Sequence, residues 1–292
     1  MIVIYQLKND CLTVAISDIG AELQSVRGAD GTEYLWQGDK AYWEDRAPVL
    51  FPFCGRFWEG KCTDAGIPCD PGMHGFLRHM TTGVTKKSDE AITFCARDNA
   101  ETRGKYPYPF EVRLTYRLQG RTLTLNAEIL NCGERVLPFA LGLHPGFNLP
   151  FAGGTMADYT VRFIGANGTI RRVKFDAEEC FPIGGSRDFA LRDGECFDPT
   201  DAFFAAGSGF FCEMPHKVAL EKRGTDRRIA MEFPEFRYFG LWKAQGGQFL
   251  CMEPWTSMPA THGENTELTE KPDLLRLAAG ERRTLTCTFA FH

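Results

Sequence analysis

Long hydrophobic runs are absent from this 292-residue sequence. No stretch approaches the roughly 20 apolar residues that a membrane-spanning helix requires, so we expect no membrane partner. An excess of basic residues is absent as well, since the formal net charge is −5. Binding to nucleic acid or to an anionic membrane surface would require a basic patch, and the sequence therefore supports neither partner.

An export signal is also absent from the N-terminal residues. The first segment, MIVIYQLKNDCLTV, contains no basic stretch followed by the apolar run of a signal peptide. We therefore expect a cytoplasmic protein. Its 11 cysteines are then expected to be free thiols in the reducing cytosol.

Metal-binding cysteine pairs are lacking. Three cysteines and two histidines lie close together in the sequence, namely Cys54, Cys62, Cys69, His74 and His79. None of these cysteines forms the closely spaced C-x-x-C type of pair that structural zinc sites usually contain. Small buried thiols explain the pattern better than zinc, so we expect no metal. No G-x-G-x-x-G or P-loop motif is present, and no cofactor is expected.

Alternation of apolar and polar residues is the dominant local pattern. Phe110–Leu118 and Arg121–Ile129 both alternate, and the intervening Gln119-Gly120 predicts a hairpin. Helical patterns are few, with short turns expected at Ala41–Asp45 and Asp176–Cys180. Further strands are predicted at Cys11–Ile16, Ala91–Cys95, Val218–Glu221, Arg228–Phe233, Tyr238–Trp242, Phe249–Glu253 and Thr284–Phe291.

Many strands with few helices favour an antiparallel sandwich or barrel. The 30 glycines and 16 prolines are spread between the strands, as many short strands and turns require. Phe151–Gly209 is irregular, but its aromatic residues need burial, which argues against a linker. We therefore predict an all-β fold, with residues 1–292 forming a single domain.

Four short segments place polar, reactive side chains beside glycine or proline at the ends of apolar runs. Such positions, on loops held by a rigid scaffold, are typical of catalytic groups. Each also has an ordinary explanation when taken alone, such as a histidine bonded to backbone in a turn or a surface arginine. The segments are Leu50–Arg56 (LFPFCGR), His74–Arg78 (HGFLR), His144–Phe147 (HPGF) and Cys251–Trp255 (CMEPW).

Together, the four segments resemble the aldose 1-epimerase (galactose mutarotase-like) family. The resemblance is greatest to its shorter bacterial branch, with L-F-P-x-x-G-R, H-G-F-x-R, H-P-x-F and C-x-E-P-W in this order. It extends from about Glu22 to the C-terminal strand. The resemblance implies a large antiparallel β-sandwich and a cofactor-free isomerase that interconverts the α and β anomers of a free hexose.

The resemblance also implies roles for the motif residues. His144 is expected to be the general acid that protonates the ring oxygen, and Glu253 the general base that takes the proton of the anomeric hydroxyl. His74 and Arg56 are expected to hold the ring oxygen and neighbouring hydroxyls. Arg78 belongs to the second motif and is a further candidate for sugar binding.

These polar groups are expected to converge in one cleft on a concave sheet face. Trp242 and Trp255 are the best candidates for apolar walls that contact the C–H groups of the sugar, although packing in the core explains them equally well.

Two departures from the family pattern leave the substrate open. Galactose mutarotases carry an acidic, sugar-binding residue between the second histidine and the glutamate, and no counterpart is assigned here. The stretch after Trp255, TSMPATHG, also lacks the aspartate expected in that loop. A hexose-6-phosphate mutarotase, which would need an arginine cradle for phosphate, is one alternative. A non-catalytic sugar-binding protein on the same scaffold is another.

Overall fold

The computed structural model describes residues 2–176, 178–205 and 207–292. Strands account for 47% of the residues and helices for 7%, which confirms the predicted all-β fold. None of the helices in the described ranges is long and apolar enough to cross a membrane.

The strands are short and follow one another along the whole chain. In chain order they are β1 (Ile4–Lys8), β2 (Leu12–Ser17), β3 (Leu23–Gly28), β4 (Val49–Leu50), β5 (Cys62–Asp64), β6 (Ile67–Cys69), β7 (Gly83–Lys87), β8 (Ala91–Arg97), β9 (Phe110–Gln119), β10 (Thr122–Asn131), β11 (Leu137–Phe139), β12 (Gly142–Leu143), β13 (Gly146–Asn148), β14 (Tyr159–Phe163), β15 (Thr169–Phe175), β16 (Pro182–Ala190), β17 (Cys196–Phe197), β18 (Gly209–Cys212), β19 (Lys217–Lys222), β20 (Arg228–Glu232), β21 (Tyr238–Trp242), β22 (Phe249–Trp255), β23 (Thr266–Glu267), β24 (Leu275–Leu277) and β25 (Arg282–Phe291).

Helical structure is limited to short pieces. The α-helices are α1 (Ala100–Lys105) and α2 (Asp201–Phe204), and three 3₁₀ turns cover Trp58–Gly60, Leu77–His79 and Met156–Asp158. Neither α-helix was predicted, although α1 has a readable start. The Asn99 side chain accepts a hydrogen bond from the backbone N–H of Thr102, and the Thr102 hydroxyl accepts one from the Asn99 backbone. This reciprocal arrangement is a capping box.

Every strand predicted from alternation is present, with ends that differ by at most two residues. The predicted hairpin is also present, since β9 and β10 pair with Gln119 opposite Thr122. Ala41–Asp45 forms no helix. It continues a turn in which the N–H groups of Tyr42 and Trp43 both donate to the Asp39 carbonyl. The turn predicted at Asp176–Cys180 includes Ala177, which lies outside the described residues.

Two large antiparallel sheets make up the body of the fold. One has nine strands in the order β17-β14-β19-β20-β25-β10-β9-β8-β7. The other has eight, in the order β16-β15-β18-β21-β22-β12-β4, with β13 also paired to β22. Phe163 of the first sheet packs on Phe211 and Phe239 of the second, with ring centroids 5.2 and 6.0 Å apart. The sheets therefore face each other across a shared apolar core, as in a β-sandwich.

The eight-stranded sheet places the motif residues on its other face. Along β22, Leu250 and Met252 belong to the core between the sheets. Because successive strand residues point to opposite faces, Cys251 and Glu253 point away from that core. Trp255, at the end of the strand, also packs with the core. This outward face is where the candidate site lies.

Candidate active site

A cleft of about 410 Å³ contains most of the predicted site residues. Its volume lies within the range of small-molecule sites. Among the described residues it is lined by Trp43, Glu44, Asp45, Pro48, Met73, His74, Arg78, His144, Ser208, Phe210, Trp242, Glu253 and Trp255. A larger cavity of about 840 Å³ is lined by no residue of the four motifs. Unpaired buried polar atoms gather at the smaller cleft, which is therefore the better candidate for a ligand site.

Strand register places His144 opposite Glu253. Gly142 pairs with Trp255, and four residues later Gly146 pairs with Cys251. The intervening His144 therefore lies across from Glu253, and its Nε2 is 3.2 Å from the Glu253 Oε2. Pro145, which lacks an N–H, follows His144 at the break between β12 and β13. The third and fourth motifs thus meet as one cross-strand pair.

Both members of this pair are buried and incompletely bonded. Glu253 is 1% exposed and His144 is 8% exposed. The Oε1 of Glu253 and the Nδ1 of His144 have no hydrogen-bond partner among the described residues. Buried polar atoms without partners are rare in native proteins, and they mark positions where a ligand can supply the missing hydrogen bonds.

Burial also controls the charge of the pair. It lowers the pKa of His144 well below its usual value and raises the pKa of Glu253 well above its usual value. Both changes have one cause, because a lone charge in a poorly solvated site is unfavourable. The free pair is therefore best described as two neutral groups whose Nε2 and Oε2 atoms lie 3.2 Å apart, rather than as a separated imidazolium and carboxylate.

His74 is fixed by the first two motifs acting together. Its backbone adopts a left-handed conformation with φ of 64°, which is uncommon for residues other than glycine. The His74 N–H donates to the Gly55 carbonyl over 2.7 Å. In return, the Gly55 N–H donates to His74 Nδ1 over 3.1 Å. Because Nδ1 is an acceptor, the neutral ring carries its proton on Nε2.

Gly75 explains why the second motif needs glycine after histidine. A Cβ at this position would lie 2.1 Å from the carbonyl oxygen of Phe51, and φ is +69°. That carbonyl accepts hydrogen bonds from the N–H groups of Phe76 and Leu77. The close approach locks His74–Arg78 against the segment that follows β4, and only glycine permits it.

The protonated form of His74 is disfavoured. Burial, together with the nearby positive charge of Arg78, lowers the pKa of His74 to about 4. Protonation would also place a proton on Nδ1, where the Gly55 N–H now donates. His74 is therefore a neutral hydrogen-bond donor through Nε2 at ordinary pH.

Arg78 reaches the same cleft but does not stand alone. Its guanidinium lies 3.0 Å from a carboxylate oxygen of Asp45, and the side chains are 19% and 28% exposed. Among the described residues that line the cleft, Arg78 is the only cation. Its charge is balanced by Asp45, so the cleft has no excess positive charge.

Aromatic rings form the walls of the cleft. Trp43 lies over His144 with ring centroids 5.0 Å apart and meets Trp242 edge-on at 5.6 Å. On the opposite side, Trp255 packs on Phe210 at 4.5 Å and on His74 at 5.5 Å. Trp242 and Trp255 therefore lie where their rings can contact a ligand, although Trp255 is also largely buried.

Glycines leave the space that these rings occupy. A Cβ on Gly146 would lie 2.8 Å from the Trp43 ring, and a Cβ on Gly142 would lie 2.9 Å from Trp255. A Cβ on Gly240, which pairs with Glu253, would lie 2.6 Å from Phe210. Three strands next to the cleft, β12, β13 and β21, therefore each carry a glycine where an aromatic ring packs against the backbone.

The Arg56 side chain does not line the cleft. Its guanidinium donates to the Glu179 carbonyl and lies 4.2 Å from the centre of the Phe181 ring. These contacts hold Arg56 in a neighbouring hollow, which shares Met73 with the cleft. Its role in sugar binding stays a prediction.

Trp43, Asp45 and Phe210 line the cleft but were not predicted from the sequence. Trp43 and Asp45 lie in the segment expected to be a helical turn, and an aromatic residue beside two acids in a polar loop was the only signal. The Trp36 indole N–H donates to the Trp43 carbonyl, and Glu22 accepts the N–H groups of Arg46 and Ala47. The Glu22 bonds span 24 and 25 residues, which explains why local pattern did not identify the loop.

The cysteines and histidines of residues 54–79 that were considered for zinc do not come together in one site. Cys62 and Cys69 are opposite each other on β5 and β6, with Sγ atoms 3.0 Å apart. His74 lies instead in the cleft. Within the described ranges, the one group of three or more possible metal ligands is His144, Cys251 and Glu253, whose ligand atoms all lie within 4.8 Å of one another.

Comparisons with known proteins show the family of this chain. Residues 3–290 match the family model described as aldose 1-epimerase. The chromosomal protein LacX of Lactococcus lactis subsp. lactis is 28% identical, over 93% of this chain and 94% of that protein.

Solved structures are similar over nearly their whole length. A galactose mutarotase-like protein from Lactobacillus casei has a TM-score of 0.93 and 29% identity, and the match covers 99% of this chain and 100% of that one. A galactose mutarotase-related enzyme from Lactobacillus acidophilus has a TM-score of 0.92 and 27% identity, covering 99% and 97%. From the extent of the family match, this chain belongs to the aldose 1-epimerase family.

Proposed function

We propose that the protein is an aldose 1-epimerase that interconverts the α and β anomers of a free, unphosphorylated aldose. The observation that carries the proposal is the buried pair of His144 and Glu253, which ends in two unpaired polar atoms at the cleft. Membership of the family supports the reaction class. The names of the similar lactobacillus proteins point to galactose as one aldose to test.

The reaction requires two proton transfers at neighbouring oxygens. Opening a hemiacetal removes the proton from the anomeric hydroxyl O1 and delivers a proton to the ring oxygen O5. Both oxygens are bonded to C1, so the acid and the base need to lie close together rather than on opposite sides of the sugar. His144 Nε2 and Glu253 Oε2, 3.2 Å apart, match that requirement.

A proton transfer within the pair prepares it for catalysis. The neutral pair and the charge-separated pair hold the same number of protons, and they differ only by transfer of one proton from Glu253 to His144. Glu253 then accepts the O1 proton while His144 donates to O5. The open aldehyde rotates about its C1–C2 bond and closes on its other face, and the reverse transfers restore the pair.

The remaining groups of the cleft hold the sugar. The Nε2–H of His74 is a neutral donor suited to the ring oxygen or an adjacent hydroxyl. Arg78 and Asp45 present a donor and an acceptor side by side, the combination that binds neighbouring hydroxyl groups. The rings of Trp43, Trp242 and Trp255 are suited to the apolar C–H faces of a pyranose.

The charges of the cleft favour a neutral sugar over a hexose 6-phosphate. A phosphate carries close to two negative charges and is usually held by several cationic or N–H donors. Here Arg78 is already paired with Asp45, and Glu44 also lines the cleft. Arg56, the other arginine of the four motifs, contacts Glu179 and Phe181 instead.

Polarimetry tests the proposal directly. Freshly dissolved α-anomers of galactose, glucose and other aldoses, and glucose 6-phosphate, are mixed with the protein, and the relaxation of optical rotation is followed. We expect faster relaxation for at least one free aldose and little for the phosphate. Acceleration confined to the phosphate would replace the substrate assignment. Saturable binding of an aldose without acceleration would identify a sugar-binding protein instead.

A further inference from the structure

Cys251 lies beside the acid–base pair, and the proposed reaction gives it no task. It is fully buried on β22, two residues before Glu253 and on the same face of the strand. It pairs with Gly146, so His144, two residues before Gly146, is its diagonal cross-strand neighbour. A nitrogen, a sulfur and a carboxylate oxygen are thereby brought within 4.8 Å of one another.

Two of these three residues, Glu253 and His144, have polar atoms that are free to bind an ion. Glu253 and His144 are both more than nine-tenths buried, and Oε1 of Glu253 and Nδ1 of His144 have no partner among the described residues. In a tetrahedral zinc site, ligand atoms about 2.0–2.3 Å from the metal are separated by roughly 3.3–3.8 Å. The Nε2 of His144 and the Oε2 of Glu253, 3.2 Å apart, are close to that range. All three ligand atoms lie within 4.8 Å of one another.

The chemistry of the donor set selects the class of metal. Imidazole, thiolate and carboxylate together suit Zn²⁺ and its spectroscopic substitute Co²⁺ better than Mg²⁺ or Ca²⁺, which prefer oxygen. Three protein ligands with one open position is the pattern of a zinc site that exchanges its fourth ligand. Two of the three candidate ligands, His144 and Glu253, line the cleft, from which water or a sugar hydroxyl could reach a bound ion.

We propose that His144 and Glu253, which line the cleft, form an inhibitory zinc site together with the buried Cys251 beside them. A bound ion takes the lone pairs of His144 and Glu253 that proton transfer requires, so zinc and sugar turnover exclude each other. The Cys251 thiol loses its proton on coordination, as thiols do when they bind zinc. The inhibition rests on the proposed mutarotase activity, whereas the binding of the ion does not.

Cobalt spectroscopy tests binding without reference to activity. Co²⁺ added to the wild-type protein should give a thiolate-to-cobalt charge-transfer band in the near ultraviolet, and Zn²⁺ should displace it. Cys251→Ala should remove the band. Cys287→Ala removes a buried cysteine from β25 in the other sheet and should keep it. The close pair of Cys62 and Cys69 is a competing thiol site, and Cys62→Ala should also keep the band.

Inhibition supplies the second readout. Zn²⁺ should slow mutarotation, and a chelator should restore the rate. Relative to its own zinc-free rate, Cys251→Ala should need at least about tenfold more Zn²⁺ for half-inhibition, since loss of even an outer-shell partner weakens metal sites by 10–100-fold. Cys287→Ala should match the wild type.

The two hypotheses fail in different ways. If no aldose relaxes faster with the wild-type protein, the mutarotase proposal fails while the cobalt band still reports the site. A cobalt band that persists in Cys251→Ala and disappears in Cys62→Ala would assign the metal to the hairpin of β5 and β6. Zinc inhibition equal in wild type and Cys251→Ala would likewise overturn the proposed ligand set.

Discussion

Acid should destabilise this protein through His74, and Asn at this position should remove most of that effect. The His74 pKa is lowered from 6.5 to about 4 by burial and by Arg78. The unfolded chain therefore takes up this proton first as the pH falls. The part of the stability that depends on neutral His74 is fully present above about pH 6.5 and is lost as the pH falls from about 6.5 to 4. In that window the unfolded state binds more protons than the folded state.

The size of the loss follows from the two pKa values. One pKa unit corresponds to 1.36 kcal/mol, so the interval between 6.5 and about 4 amounts to roughly 3 kcal/mol. About 2 kcal/mol of this is already lost near pH 5. Such a loss is a large fraction of the roughly 5–15 kcal/mol that stabilises an ordinary folded protein, so the unfolding transition should move clearly.

Asn is a suitable replacement because it keeps the local geometry. It tolerates the left-handed backbone at φ of 64° better than most residues. Its Oδ1 can accept the Gly55 N–H as His74 Nδ1 does, but it does not titrate. Urea unfolding of wild type and His74→Asn should give similar free energies near pH 7.5. Near pH 5 the variant should be more stable by about 2 kcal/mol.

His79→Asn provides the matched control, because His79 lies on the same segment but is exposed. That variant should keep most of the wild-type pH dependence. If His74→Asn instead loses stability in parallel with wild type from pH 7.5 to 5, His74 is not the buried neutral donor described above, and its place in the cleft has to be revised.

Three further predictions concern the cleft. The rate of mutarotation should be constant through neutral pH and fall on both sides. It should fall in acid as the pH passes the lowered pKa of His144, and in alkali as the pH passes the raised pKa of Glu253. A pH–rate profile with a single sharp optimum well below pH 6 would contradict this. Gly146→Ala should displace Trp43, destabilise the protein by about 1–3 kcal/mol and slow mutarotation roughly tenfold. Urea unfolding measures the first change and polarimetry the second. An unchanged stability and rate would show that Trp43 does not cover His144. Activity should survive exhaustive chelation, since proton transfer needs no Lewis acid, and loss of activity that zinc restores would refute this.

Much of the fold could be predicted because its strands carry a local signal. Alternation located β9, β10, β21 and β22 within two residues of their bounds. The short strands β4, β12 and β13 contain too few residues to alternate, and they exist because they pair with β22 and with one another. That residues 1–292 form a single domain stays a prediction.

The candidate site was partly predictable for the same reason. His74, Arg78, His144 and Glu253 lie in motifs that a family resemblance can identify, and the structure brings them to one cleft. The side chain of Arg56 points into a neighbouring hollow because Glu179 and Phe181, more than 120 positions later, bind it there. The loop that carries Trp43 and Asp45 is held by Glu22, which accepts the N–H groups of Arg46 and Ala47 from more than 20 positions away, and no local pattern contains such bonds.

The central claim is that His144 and Glu253 act as an acid–base pair on a free aldose, and Glu253→Gln tests it most directly. Gln keeps the shape of the side chain but cannot accept the O1 proton. The measurement is kcat for mutarotation of the preferred aldose by polarimetry, with folding checked by circular dichroism. The pair predicts a fall of roughly 10²-fold or more, the contribution of one general catalyst. A folded Glu253→Gln variant that relaxes the sugar at nearly the wild-type rate would contradict the account.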